Sequence, residues 1–269
     1  VRVLVREVTG GVASHVARDL ADASGVLVAF TERIGGLSEP PYASLNLAAH
    51  VGDDLVHVDA NRDRVFEALG VSKLRNRLVT AEQVHGVRIA QVREADAGSG
   101  AGAAPGSPPP LPGCDALWTR DAGVPLMLFY ADCVPVVLVH AQLRAVAVVH
   151  AGWRGALAGI VGDAARAISR ESGDPGGIMA FIGPHIGACC YEVGIEIVSQ
   201  FANRFVTLSR ASDRLDLAAV VTEDLVRAGV VEERQWHLGI CTAHNTEHFY
   251  SYRAEGRTGR HAALAVLLP

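Results

Sequence analysis

Apolar and polar positions fall in blocks along this chain, and the period inside each block predicts its element. GVLVAF, Gly25 to Phe30, is short and apolar almost throughout, which predicts a buried strand. TERIGGLSEPPYASLNLAAHVGDD follows, rich in Gly, Pro, Ser and Asn, and predicts a long loop of the kind that is usually functional within a compact domain. Val58, Val65, Ala68 and Leu69 recur at helical spacing, with Gly70 placed to stop the helix. RLVTAEQVHGVRIAQV reads as two strands around a turn at His85 and Gly86. CDALWT, VPLMLFYADC, VPVVLVH and AVAVVHAG are β-rich runs, and a helix follows from the Trp153 region through Ile168. IMAFIGPHIG is a strand and turn, and YEVGIEIVSQFANRF and DLAAVVTEDLVRAGV are helices. EERQWHLGICTAHN and HAALAVLLP complete an α/β alternation, with no repeat at a fixed period. The segment 97–113, AGSGAGAAPGSPPPLPG, has the composition of a linker. Because β-rich sequence resumes directly after it, the expectation is a flexible surface insertion within one domain spanning 1–269.

Composition sharpens this picture. Of 269 residues, 49% are apolar and 20% charged, the balance of a globular chain with a sizeable core. The formal charge of −5, without a Lys/Arg-dense patch, argues against nucleic acid and for a small-molecule partner. The longest apolar stretch, VPLMLFYADCVPVVLVHA, is broken by Asp132 and two prolines, so a buried strand is expected there and no membrane span. Five cysteines without a Cys-x-x-Cys pair, and no charged-then-apolar leader, point to a soluble protein of the reducing cytoplasm.

Three residues end apolar runs beside small residues: His85, Cys133 and His150. Two imidazoles and a thiolate suit zinc, and three protein ligands leave a fourth position for water. Their separation in sequence equally fits a buried cysteine and satisfied core histidines. A local rival, CTAHNTEH, offers Cys241, His244 and His248, but lacks the fourth ligand of a structural zinc site and reads otherwise as an exposed polar turn. The adjacent Cys189 and Cys190 would strain a disulfide between them and read as a structural thiol pair. Arg33 and Arg154 stand in Gly-containing turns where a guanidinium can grip phosphate, or form a surface ion pair. Nucleophile-elbow, Walker, dinucleotide and zinc-deaminase signatures are absent from the sequence.

The blocks TERIGGLSEPPYASLNLAAHVGDD, NRDRV, EQVHG, CDALWT, ADCVPVVLV, VHAGWRG, IGPHIGACCYEVG and CTAHNTEHFYSYRAEGRTGR, in this order from Thr31 to about His261, resemble the bacterial laccase-domain proteins. That family is also described as purine nucleoside phosphorylases or polyphenol oxidases, and in some members as peptidoglycan editing factors. The resemblance implies a single α/β domain with a mixed sheet core flanked by helices, similar to the fold of a bacterial toxin deamidase. It implies a metal, Zn2+ with Cu2+ as the alternative, on His85, Cys133 and His150. It implies phosphorolysis of adenosine, inosine, guanosine or methylthioadenosine, with deamination of adenosine. The expected partners are thus purine nucleosides and phosphate; the oligomeric state has no signature. Asp132 joins the three ligands as a catalytic candidate that orients a ligand or relays a proton. Arg33, then Arg154, are the expected anion clamps, and Asn46 a further substrate-binding candidate. His185, His244, His248 and the 97–113 insertion depart from the family pattern. Three other readings compete. One is a cysteine-dependent amidase editing peptidoglycan precursors, with Cys133 as nucleophile. Another is a copper polyphenol oxidase, which needs clustered histidines, usually with His-x-His pairs, that this sequence lacks. The third is an interaction protein whose metal only holds the fold.

Overall fold

The computed structural model describes residues 4–170, 173–208 and 213–269. Two sheets carry the fold. The strands in chain order are β1 (Val5–Thr9), β2 (Val12–Val16), β3 (Val26–Thr31), β4 (Ile89–Gln91), β5 (Ala116–Thr119) and β6 (Leu126–Tyr130). They continue with β7 (Val134–His140), β8 (Ala145–Ala151), β9 (Ile178–Ile182), β10 (Gln235–His237) and β11 (His261–Leu267). A five-stranded antiparallel sheet has the order β1-β2-β3-β11-β6. A six-stranded mixed sheet has the order β10-β9-β7-β8-β5-β4, with parallel pairs only at its two edges. Helices α1 (Arg18–Ser24) and α2 (Leu55–Ala68) belong to the first half. The second half adds α3 (Trp153–Ala158), α4 (Ile160–Ser169), α5 (Ile195–Arg204), α6 (Leu217–Arg227) and α7 (Tyr252–Glu255).

The apolar pattern explains the layering. Side chains alternate faces along a strand, and in β7 Val137 and Val139 point to one core while Val136 and Leu138 point to another. The first core lies between the sheets, where Val137, Val146, Val148 and Phe181 meet Phe30, Leu128 and Ala263. The second lies under α3 to α6, where Val149 and Ile182 meet Ile160, Val220 and Phe201. A third, with Val65 and Phe66 of α2 against Leu27 and Leu264, covers the outer face of the five-stranded sheet. Strands covered on both faces read as unbroken apolar runs, hence VPVVLVH and AVAVVHA.

The fold is therefore mixed α/β, with two sheets where the sequence suggested one sheet core. Four expectations change with it. The helix through Ile168 is two helices, because Gly159 turns the chain at φ 88° and a Cβ there would lie 2.8 Å from Arg204. The second helix begins only at Ile195, after Gly194. The strands expected on both sides of His85 reduce to β4 on the far side and single bridges at Val79 and Ala81. The 97–113 segment is not only a surface excursion: Ala101 is buried, and the carbonyls of Gly100 and Ala101 accept hydrogen bonds from the buried Arg62 guanidinium. Among the described residues, no helix is long and apolar enough to cross a membrane.

Candidate functional site

Antiparallel pairing of β7 with β8 sets Val134 opposite Ala151 and Pro135 opposite His150. The residue just before β7, Cys133, thus meets the end of β8, where His150 faces the space between the sheets. His85 arrives on the loop before β4. The Nδ1/Nε2 and Sγ donor atoms of His85, Cys133 and His150 all lie within 4.8 Å of one another, although the three are far apart in sequence. The His85 and His150 rings meet edge to face with centroids 4.8 Å apart.

One buried carboxylate organises this meeting. Asp115, which precedes β5, accepts the backbone N–H groups of Val84, His85 and Gly86 at 3.2, 2.9 and 2.7 Å, so the loop is held by a side chain instead of a ladder. It also bonds His150 Nδ1 at 2.8 Å, leaving the other ring nitrogen for the Cys133 thiol. Burial would raise the Asp115 pKa, but the hydrogen bonds from His150, Gly86 and Val84 outweigh it and hold the carboxyl below its usual range. Burial likewise opposes charge on Cys133 and His150. Their mutual attraction and hydrogen bonds win, bringing the thiol to about 6 and the imidazole to about 9. Sequence reasoning missed Asp115, whose place opposite the loop depends on strand register.

Local backbone geometry sets how two of these segments enter the cluster. Among the described residues three non-glycine positions have positive φ, and two are His85 (58°) and Asp132 (89°). Asp132 is held there by its carboxylate, which accepts the Thr242 hydroxyl and the Arg253 N–H, each at 2.7 Å. Gly152 leaves the necessary room: a Cβ would lie 2.9 Å from the His85 ring and 3.2 Å from the Cys133 sulfur. The donor set, this clearance, and a buried carboxylate on the second nitrogen of His150 together fit a transition metal.

The cluster opens into a cavity of about 480 Å³ that also carries Phe129, Trp153, Tyr191, Arg154, Arg253 and Arg260. The Arg154 guanidinium lies over the Trp153 ring at 4.4 Å. A cleft of about 590 Å³ beside α4 carries Arg93, Arg120 and Arg166, but no histidine or cysteine lines it.

Two residues expected to bind substrate stand away from the cavity lining. Arg33 does not line the cavity: its guanidinium donates to the carbonyls of Ala43 and Thr246, pairs with Glu255 at 2.7 Å and covers the Tyr250 ring. Asn46 is fully buried, bonding Ala48, Asp53 and the N–H of Arg260, so it reaches the cavity only through the backbone it holds. His185 is buried with Nδ1 on the Gly183 carbonyl and stands outside the metal cluster. His248 leaves the grouping expected with Cys241 and His244, because its Nδ1 pairs with Glu32 at 2.9 Å. Cys189 and Cys190 stand with those two instead.

Residues 27–268 match the family model described as multi-copper polyphenol oxidoreductase laccase. The chain is 37% identical over 248 residues to purine nucleoside phosphorylase SCO2081 of Streptomyces coelicolor, covering 91% of this chain and 96% of that one. It is 37% identical to purine nucleoside phosphorylase YlmD of Geobacillus stearothermophilus over 247 residues, 88% of each chain. The crystal structure of YlmD from Geobacillus stearothermophilus superposes with a TM-score of 0.89 at 34% identity, covering 99% of both chains.

Proposed function

The chain belongs to the multi-copper polyphenol oxidoreductase laccase family, and on that premise we propose that it is a zinc-dependent purine nucleoside phosphorylase of the cytoplasm. Its substrates are adenosine, inosine, guanosine and methylthioadenosine, and it also deaminates adenosine. One observation carries this reading: aromatic faces and arginines share a cavity with His85, Cys133 and His150. Phe129, Trp153, Tyr191 and Tyr252 offer flat apolar surface to a purine. The anion clamp first assigned to Arg33 passes to Arg154, with Arg253 and Arg260 beside it, since planar guanidinium matches phosphate.

In this reading a phosphate oxygen bonds to the ribose C1′ as the bond from C1′ to the purine nitrogen breaks. The nitrogen takes the electron pair and a proton, and ribose 1-phosphate leaves. The arginines hold the anion against a carbon that becomes cationic in the transition state, which is proximity and charge stabilisation in one arrangement. Asp132 acts as a positioning residue, since its carboxylate is occupied by Thr242 and Arg253 while its backbone sets the entry of Cys133. His85, Cys133 and His150 would hold the metal, and two imidazoles with one thiolate suit zinc while leaving a fourth position open for water. When bound, zinc supplies Lewis acidity and a water of lowered pKa, the chemistry that attack on adenosine C6 needs at neutral pH.

A second reading is favoured by the series Cys133, His150 and Asp115, which is also a nucleophile, a base and the acid that orients it. It describes a metal-free amidase acting on peptidoglycan precursors, in keeping with the toxin-deamidase likeness implied by the sequence blocks. The deciding assay is base release from adenosine and inosine, with and without phosphate, before and after chelation. We expect ribose 1-phosphate that disappears with the metal and returns with zinc. Amide cleavage that survives chelator and stops on alkylation of Cys133 would put the amidase in its place.

A further inference from the structure

Two turns that hydrogen-bond to Asp132, through the Ile186 N–H and the Thr242 hydroxyl, bring together side chains that the reaction does not use. In the first, Cys190 and Tyr191 donate their N–H groups to the Gly187 carbonyl, which folds Cys189 and Cys190 back on the chain. The second begins at Cys241 and holds His244 in a short 3-10 turn. A bridge between His185 and Cys241 registers the two. The three sulfurs and one nitrogen of His244 lie within 4.8 Å of one another. We propose that Cys189, Cys190, Cys241 and His244 form a second metal site, a four-ligand structural site for zinc that ties these two turns together.

The chemistry of the donor set supports this, since three thiolates and an imidazole complete a tetrahedral zinc shell with no position left for substrate. Bond lengths of about 2.3 Å to sulfur and about 2.0–2.1 Å to nitrogen place tetrahedral ligand atoms about 3.5–3.8 Å apart. The Cys189 sulfur and the His244 Nδ1 are 3.5 Å apart. Around the donors the chain is arranged as metal sites require. The Gly187 N–H donates to the Cys241 sulfur at 3.3 Å, and a Cβ at Gly187 would press on Cys189 at 3.1 Å and on Cys241 at 3.4 Å. Arg214 donates to the Cys189 carbonyl, bringing positive charge beside a set that carries net negative charge with zinc. The bound ion also has a consequence for the cavity. Ile186 and Tyr191 of the first turn line it, and Thr242 of the second holds the Asp132 carboxylate. The second zinc is thus a clip behind the wall of the first site.

The test is metal content of the full chain, stripped with chelator under a non-thiol reductant and reloaded with Zn2+ alone. We expect two zinc per chain in the wild type, one in Cys189→Ser and in the surface variant His244→Gln, and one in Cys133→Ser. Co2+ alone provides a check that needs no variant: thiolate-to-cobalt absorption at saturation should carry the intensity of four thiolates, and of three in Cys133→Ser. One zinc in the wild type, with cobalt absorption of a single thiolate, overturns the proposal. So does a disulfide among Cys189, Cys190 and Cys241 that persists under the reductant and blocks uptake.

Discussion

The two sulfur–imidazole clusters differ in what delivers their donors. His85, Cys133 and His150 come from a held loop and two strand ends, with His150 and Asp115 buried, and they face a cavity. Cys189, Cys190, Cys241 and His244 come from two turns, with Cys189 and His244 exposed, and they face one another. Strand ends and a loop held by a side chain fix a direction, so these three donors leave a side open to the cavity. Four donors on turns close around an ion. The same ligand chemistry thereby suits catalysis in one place and cross-linking in the other.

The sharpest way to break this contrast is through Asp115. Asp115→Ala leaves three backbone N–H groups and the His150 ring without their partner, and we expect a loss of roughly 3–5 kcal/mol in urea unfolding. Asp115→Asn keeps the shape, and its zinc affinity at the first site should fall about 10- to 100-fold with the second site unchanged. Acid unfolding reports on a third place, the buried Glu32 carboxylate, apart from both clusters. Burial would raise the Glu32 carboxyl, but hydrogen bonds from His15, Arg6 and His248 bring it to about 2. Because that pKa is depressed on folding, its stabilisation is complete above the unfolded value of 4.5 and is lost as the pH falls toward 2. Glu32→Gln should remove roughly 2–3 kcal/mol at pH 7 and little at pH 2. Arg154→Ala should raise the phosphate KM about 10-fold or more, the loss of one charge-assisted contact. Arg33→Ala should leave that KM in place and lower the thermal midpoint instead. Smallest is Gly187→Ala, which should weaken uptake at the second site alone.

How much of this was legible in the chain depends on whether the signal was local. The strands VPVVLVH and AVAVVHA were legible because burial on both faces leaves an unbroken apolar run. The same run endings marked Cys133 and His150, which the structure brings together with His85. The β1–β2 hairpin went unread although Gly10 and Gly11, both at positive φ, are a two-residue turn signal, since β1 is largely exposed and shows no apolar face. Asp115 could not be read because its partners lie about 30 residues away in either direction, across a sheet register that the sequence does not state. Arg33 misled for the opposite reason: its Gly-containing turn suggested an open guanidinium, whereas its partners come from residues near 43, 246 and 255. Cys241, His244 and His248 looked one ligand short of a structural site; His248 turns to Glu32 instead, and the two donors that join Cys241 and His244 lie about 50 residues earlier, in the turn at Cys189 and Cys190.

We propose that a metal on His85, Cys133 and His150 supports phosphate-dependent cleavage of purine nucleosides. The most direct test follows the rate of inosine phosphorolysis as stripped protein is reloaded with zinc in steps, beside Cys133→Ser carried through the same steps. We expect no turnover in the stripped protein, a rate that rises with zinc in the wild type, and none at any zinc content in Cys133→Ser. Turnover that is full before zinc is added, or equal in Cys133→Ser, would contradict this proposal.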